Sequence, residues 1–147
     1  MDEAVFWLLL SMLNWDATGN DDAVVAPVVE ELSQKSVEEI HAFRDVLAEK
    51  LYLLDTKEHA QEIGEGSYSE EGYFSVDQFL YARCVVVANG KDFYETVLKT
   101  PSSFPKDMEF EALLYIVHAA YEKKTGLQYD GETKLSYETF SNEAGWR

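Results

Sequence analysis

Apolar residues recur along the chain at intervals of three and four, the period of helices that bury one face. The pattern is sharpest after Ser36. Glu39 follows three residues later, the spacing of a reciprocal N-terminal cap, and Ile40, Phe43, Leu47, Leu51 and Leu54 then mark one stripe. This predicts a helix with Glu38, Asp45 and Glu49 facing water. Upstream, residues 2–15 read as a first helix, apolar on most sides and therefore packed centrally. Its acidic first turn suits the positive end of a helix dipole. Residues 17–20 are a turn by composition. Residues 21–34 read as a second helix that carries Pro27 inside it. An interior proline costs about 3 kcal/mol, so this helix either begins near Pro27 or kinks there.

A short polar helix is predicted over residues 56–63, then a loop over residues 64–73 marked by Gly64, Gly66 and Gly72. Ser75 and Gln78 repeat the capping spacing and open a helix through Val76, Phe79, Leu80, Cys84, Val86 and Val87. Asn89-Gly90 ends it, because Gly tolerates the left-handed conformation at a helix end. The run Val85-Val86-Val87 suits a strand equally well, so residues 84–88 stay open between helix and strand. A short helix over residues 91–98 stops ahead of Pro101. A last one over residues 107–124 places Phe110, Leu113, Leu114, Val117 and Tyr121 on one face, with Gly126 as its cap. Residues 127–147 are polar with scattered aromatics and form a tail, docked or partly mobile. The fold class expected is mainly α: one multi-helix bundle over residues 1–126 with a less regular C-terminal tail. No internal repeat is present.

Charge narrows the partners. Twelve Lys and Arg stand against 28 Asp and Glu, a net charge of −16. Phosphate backbones are gripped by Lys and Arg, so nucleic acid and anionic membrane are excluded as expected partners. A basic protein is favoured, since the field would speed its arrival. The competing reading is that the acidity only keeps the protein in solution. Cys84 is the single cysteine, which rules out an intramolecular disulfide and suits a reducing compartment. Within Cys84-Val85-Val86-Val87-Ala88 it reads as a buried thiol. The apolar start at residues 6–10 is preceded by Asp2 and Glu3, where a signal peptide needs positive charge. No stretch approaches the ~20 apolar residues that span a bilayer. A cytoplasmic protein is expected.

Reactive constellations are hard to assemble. Three His and one Cys could make a zinc site only by gathering nearly all of them. Glu38-x-x-His41 has the spacing used in di-iron bundles but has no second pair, so His41 is expected at the surface near Asp45. Asp55 and His59 are spaced to pair along a helix. Gly64-Glu65-Gly66 has Ser69 where a dinucleotide fingerprint needs its third glycine. No nucleophile elbow or phosphate loop is present. No catalytic, cofactor or metal residue is assigned. Arg83 stands apart: a charge inside an apolar helix is costly unless partnered. A bidentate ion pair with a carboxylate from another helix is the expected arrangement, ahead of a ligand contact. The structural or binding candidates are Arg83, Asp77 and Ser75 with Tyr68, Glu70, Glu71 and Tyr73 of the loop.

Several blocks resemble the domain-of-unknown-function 4240 family of bacterial proteins: Met1-Asp2-Glu3 with Phe6-Trp7, Leu32-Ser33 with Ser36 and Ile40-x-x-Phe43, Ser75-x-Asp77-x-Phe79-x-x-x-Arg83, Gly90-x-x-Phe93-Tyr94, Leu113-Leu114-Tyr115, and Tyr121-Glu122-Lys123-Lys124-Thr125-Gly126. The likeness spans most of residues 1–126. The chain departs from the family in a longer stretch over residues 65–74, and in Leu54-Asp55-Thr56-Lys57 where the family is rich in Trp. The resemblance implies a helical domain and a role for Arg83, and no activity.

Small size, acidity and many Tyr and Trp for an interface lead to one expectation: an acidic protein-binding domain, such as an immunity-type inhibitor that neutralises a basic bacterial toxin. The alternative is a small enzyme or a ligand-sensing regulatory domain. Its site would lie near Arg83 and the 64–73 loop, with Asp77 and His59 as further enzymatic candidates. Oligomeric state is not legible.

Overall fold

The structure is a computed structural model that describes residues 1–147. It is a helical bundle of α1 (Glu3–Leu10), α2 (Asp21–Ser33), α3 (Val37–Leu53), α4 (Lys57–Ala60), α5 (Val76–Ala88), α6 (Lys91–Lys99) and α7 (Ile116–Thr125), with no strand. Short 3-10 turns occupy Trp15–Ala17, Pro101–Ser103, Glu111–Tyr115 and Glu143–Trp146.

Helix α5 is the central element. Phe79, Leu80 and every residue from Ala82 to Ala88 are buried, so it has no wet side along that stretch. α3, α6 and the 3-10 turn at Glu111–Tyr115 pack on it, while α2 runs along α7. Burial on all sides resolves the Val85-Val86-Val87 ambiguity in favour of helix, because packing outweighs the small helix penalty of β-branched residues. The α3 stripe is in place: Ile40, Phe43, Leu47, Leu51 and Leu54 are at most 2% exposed. Burying a side chain of this kind contributes roughly 1.5–3 kcal/mol. Phe43 meets Phe6 of α1 with ring centroids 5.0 Å apart.

Several expected boundaries move. The first helix stops at Leu10, where the chain turns so that the Asn14 N–H can donate to the Val24 carbonyl. It is not buried all round, since Leu8 is 60% exposed. α2 starts at Asp21 and runs through Pro27 to Ser33. Asn20 caps it by accepting from the Ala23 N–H, and Pro27 lies on the exposed side, where the carbonyl it leaves unbonded can be hydrated. Glu38 and Glu49 face water as expected, but Asp45 is half-buried and accepts from the Lys134 N–H.

The largest correction is at residues 107–115. The continuous helix expected from residue 107 does not form. Asp107 has φ 59°, its N–H donates to the Ile63 carbonyl, and the Phe110 N–H donates to the Tyr81 carbonyl. Those two tertiary bonds hold the chain non-helical until the 3-10 turn, and α7 begins only at Ile116. Gly126 ends α7 in the left-handed conformation at φ 74°, which only glycine adopts without penalty. No helix is long and apolar enough to cross a membrane.

Candidate functional site

The non-helical path of residues 107–110 opens a groove of about 600 Å³ against the start of α5 and the loop after α4. Its walls carry Glu65, Asp107 and Glu109, with Ile63, Gln78 and Met108 between them. Asp107 Oδ1 accepts the Glu65 N–H at 2.7 Å, and Gln78 Nε2 donates to the Glu65 carbonyl at 2.9 Å. Gln78 therefore does not close a capping box; Ser75 caps α5 alone, accepting from the Gln78 N–H at 3.1 Å. Gly64 has φ 92°, and a β-carbon there would lie 2.5 Å from Asp107 Oδ1. The groove thus depends on a residue with no side chain meeting one held in an uncommon backbone conformation.

No Lys, Arg or His lines this groove. The nearby Lys106 is occupied by Glu62, donating to its carbonyl at 2.6 Å and its carboxylate at 2.9 Å. Met108 is 55% exposed. Negative charge continues beyond the groove. The Tyr81 hydroxyl is pushed up to about 12 by lost hydration, by Glu111 and by Asp77. The Tyr115 hydroxyl, which donates to Glu111 at 2.7 Å, is raised mainly by that bond.

Arg83 lies elsewhere, with no exposed surface. Its Nη1 donates to the Leu51 carbonyl at 2.9 Å and the Tyr137 carbonyl at 3.0 Å, and its Nη2 to Thr139 Oγ1 at 3.0 Å. The guanidinium carbon sits 4.7 Å from the centre of the Phe79 ring, and Nε has no partner. The expected carboxylate ion pair is absent; neutral oxygens and a ring face take its place, and the carboxylate of Asp55 is taken by other donors. Burial lowers the guanidinium to about 10, against the pull of Asp55, so it is still charged at neutral pH. Asp55, wholly buried, accepts the N–H of Phe140 at 3.2 Å, the N–H of Asn142 at 3.1 Å and the indole of Trp146 at 2.8 Å.

Residues 1–123 match the family described as Protein of unknown function (DUF4240). The chain belongs to the DUF4240 family. No curated protein and no solved structure matches it. The DUF4240 match takes in the acidic groove, Asp55 and Arg83, and stops short of the tail that covers the last two.

The other sequence candidates in this DUF4240 chain are only partly brought together. Tyr68 is half-buried between Phe74 and Trp146, at ring separations of 5.3 and 5.2 Å. Lys57 stands 5.8 Å from the centre of the Tyr68 ring and donates to Glu70 at 3.0 Å, which raises its pKa. Tyr73 is 91% exposed and Glu71 and Asp77 face water, and none of them bonds to Arg83. The Asp55–His59 pair does not form. His59 is buried between Thr56 Oγ1 at 2.6 Å and the Val97 carbonyl at 2.9 Å, and burial lowers its pKa. His41 does not sit with Asp45 at the surface; its Nδ1 meets the Tyr129 hydroxyl at 2.8 Å. The Cys84 thiol is buried and pushed up to about 12 by desolvation. No three His, Cys, Asp or Glu side chains converge as a metal site. Sequence reasoning missed Asp55 as an anchor and Asp107 as a wall. The one signal was the departure from the family pattern at residues 54–57.

Proposed function

We propose that this DUF4240 chain is an acidic protein-binding domain that holds a basic protein partner, as an immunity-type inhibitor neutralising a bacterial toxin does, in the cytoplasm. The observation that carries this reading is the groove walled by Glu65, Asp107 and Glu109 with no basic residue lining it. A concave, single-signed surface focuses the field on an incoming cation and raises the rate of encounter. Met108, exposed at its edge, offers a polarizable, adaptable apolar contact of the kind that binding surfaces use. The net charge of −16 extends the same attraction to long range. Arg83, which an enzymatic or ligand-sensing reading needs as a contact, has both terminal nitrogens engaged by protein oxygens.

The test is capture of partners on the immobilised protein at low and high salt, beside a Glu65→Gln, Glu109→Gln double variant. A basic protein retained at low salt, and about tenfold less of it on the variant, supports the reading. Equal retention on both proteins, or none at either salt concentration, would sink it.

A further inference from the structure

Residues 137–146 are attached to the bundle as a peptide is attached to a receptor. None of their backbone bonds reaches the backbone of a helix; the Ser141, Glu143 and Gly145 N–H groups turn back on Glu138, Ser141 and Asn142 within the segment. Side-chain bonds from both partners hold it instead, among them Asn142 Nδ2 donating to the Tyr52 carbonyl at 3.2 Å. Arg83 binds the Tyr137 carbonyl and the Thr139 hydroxyl, and Thr139 Oγ1 donates onward to the Val76 carbonyl at 2.7 Å. Asp55 takes the main-chain N–H groups of Phe140 and Asn142 and the indole of Trp146. The indole packs edge-on against Phe140 at 4.5 Å and Tyr68 at 5.2 Å, and meets Phe79 at 6.1 Å.

Two further features belong to a fitted ligand more than to a folded element. Phe140 is held at φ 79°, a region a bulky residue leaves when nothing constrains it. Gly145 sits so close that a β-carbon would lie 2.8 Å from the Asp55 carbonyl oxygen. The two charged anchors are both completely buried, and both are spent on this one segment apart from the Leu51 carbonyl bond.

We propose that the cleft between the end of α3 and the face of α5 is a polypeptide-binding groove, occupied here by the chain's own residues 137–146. The ligand class is a short segment of successive turns with a hydroxyl residue followed by an aromatic, and an indole beyond them. A partner carrying such a segment binds by displacing the resident one. Affinity for it is reduced by the fraction of time the resident segment occupies the groove, and loosening that segment raises it. The groove shares no residue with the acidic groove, so this inference stands apart from the function proposed above.

Gly145→Ala tests it, because that change crowds the docked segment without altering any groove side chain. The probe is a fluorescent synthetic peptide of residues 135–147, added to the full chain and followed by anisotropy. Hydrogen exchange of residues 137–146 is followed in the same samples. The expected result is faster exchange in Gly145→Ala and half-saturation at about tenfold lower peptide concentration than for the unaltered protein. A peptide carrying Thr139→Val and Trp146→Ala should bind neither. Trp146→Ala in the full chain is the second release variant. If exchange quickens in either variant and the peptide still fails to bind, the groove is not a recognition site. If neither variant loosens the segment, it is a fixed part of the body and the proposal falls.

Discussion

The indole N–H of Trp146 donates to Oδ1 of Asp55 at 2.8 Å, joining residues 91 positions apart in the chain. The same carboxylate takes the Phe140 and Asn142 N–H groups, so one buried acid organises the whole end of the tail. Removing it leaves three part-buried donors without their acceptor. A hydrogen bond to a charged group is worth about 1.5–3 kcal/mol, and an unmatched buried donor carries its own desolvation penalty. Asp55→Ala is therefore expected to destabilise by about 3 kcal/mol or more, and Asp55→Asn, which retains one acceptor, by less. Urea unfolding followed by circular dichroism measures both; equal midpoints for Asp55→Ala and the unaltered protein would disprove the anchoring role.

Arg83→Lys is expected to cost about 2–3 kcal/mol although the charge is kept. The guanidinium reaches Leu51, Tyr137 and Thr139 in separate directions while lying against the Phe79 ring. An ammonium is a compact point charge on a flexible stem and cannot reproduce that spread. The same urea series measures it. A thermal and chemical stability matching that of the unaltered protein would show the three bonds to be dispensable.

Gly64→Ala is expected to destabilise by about 2 kcal/mol, since left-handed backbone and steric overlap act together. Its added carbon would meet Asp107 Oδ1 at 2.5 Å and Asp107 N at 3.0 Å, both in the wall of the acidic groove. Gly19→Ala is the comparison: it shares a positive φ of 103° but has open space around it. The Gly64 change should lose more stability than the Gly19 change, and a reversed order would refute the crowding account.

Acid should weaken the fold before its carboxylates titrate. Burial holds the His59 pKa below its ordinary 6.5, and burial followed by Arg44 does the same for His118. A depressed folded value means the native state binds fewer protons than the unfolded one. Stability is therefore complete above about pH 6.5 and falls as pH drops through the lowered folded values. Glu30 and Glu39, lowered mainly by bonds to Lys123 and Ser36, enter only below 4.5. Urea midpoints between about pH 7 and pH 5 should decline, and His59→Gln should flatten the decline. A level profile in the unaltered protein would contradict the assignment.

Features decided within a few residues were readable in advance. The Ser36–Glu39 box forms both of its bonds, Glu39 N–H to Ser36 Oγ at 3.1 Å and Ser36 N–H to Glu39 Oε1 at 3.3 Å. The α3 stripe, the start of α5 at Ser75 and the Gly126 cap follow for the same reason: chain connectivity itself brings residues i, i+3 and i+4 together, whereas residues 84–88 were settled as helix only by burial on all sides. Arg83 was recognisable as a buried charge in need of partners, but not as one served by carbonyls, since every residue supplies a carbonyl and composition cannot say which is near.

What lay beyond reach was set by contacts between distant segments. Periodicity over residues 107–124 is helical, yet the bonds from Asp107 to Ile63 and from Phe110 to Tyr81 hold the first part open and make the groove. The spacing suits Asp55 as a partner for His59 four residues on, but Trp146, Phe140 and Asn142 outcompete that weak local pair with three part-buried donors. Local spacing is written into the chain by covalent geometry. Which far-off donor reaches a buried carboxylate depends on how the whole bundle closes, and only the folded arrangement decides it.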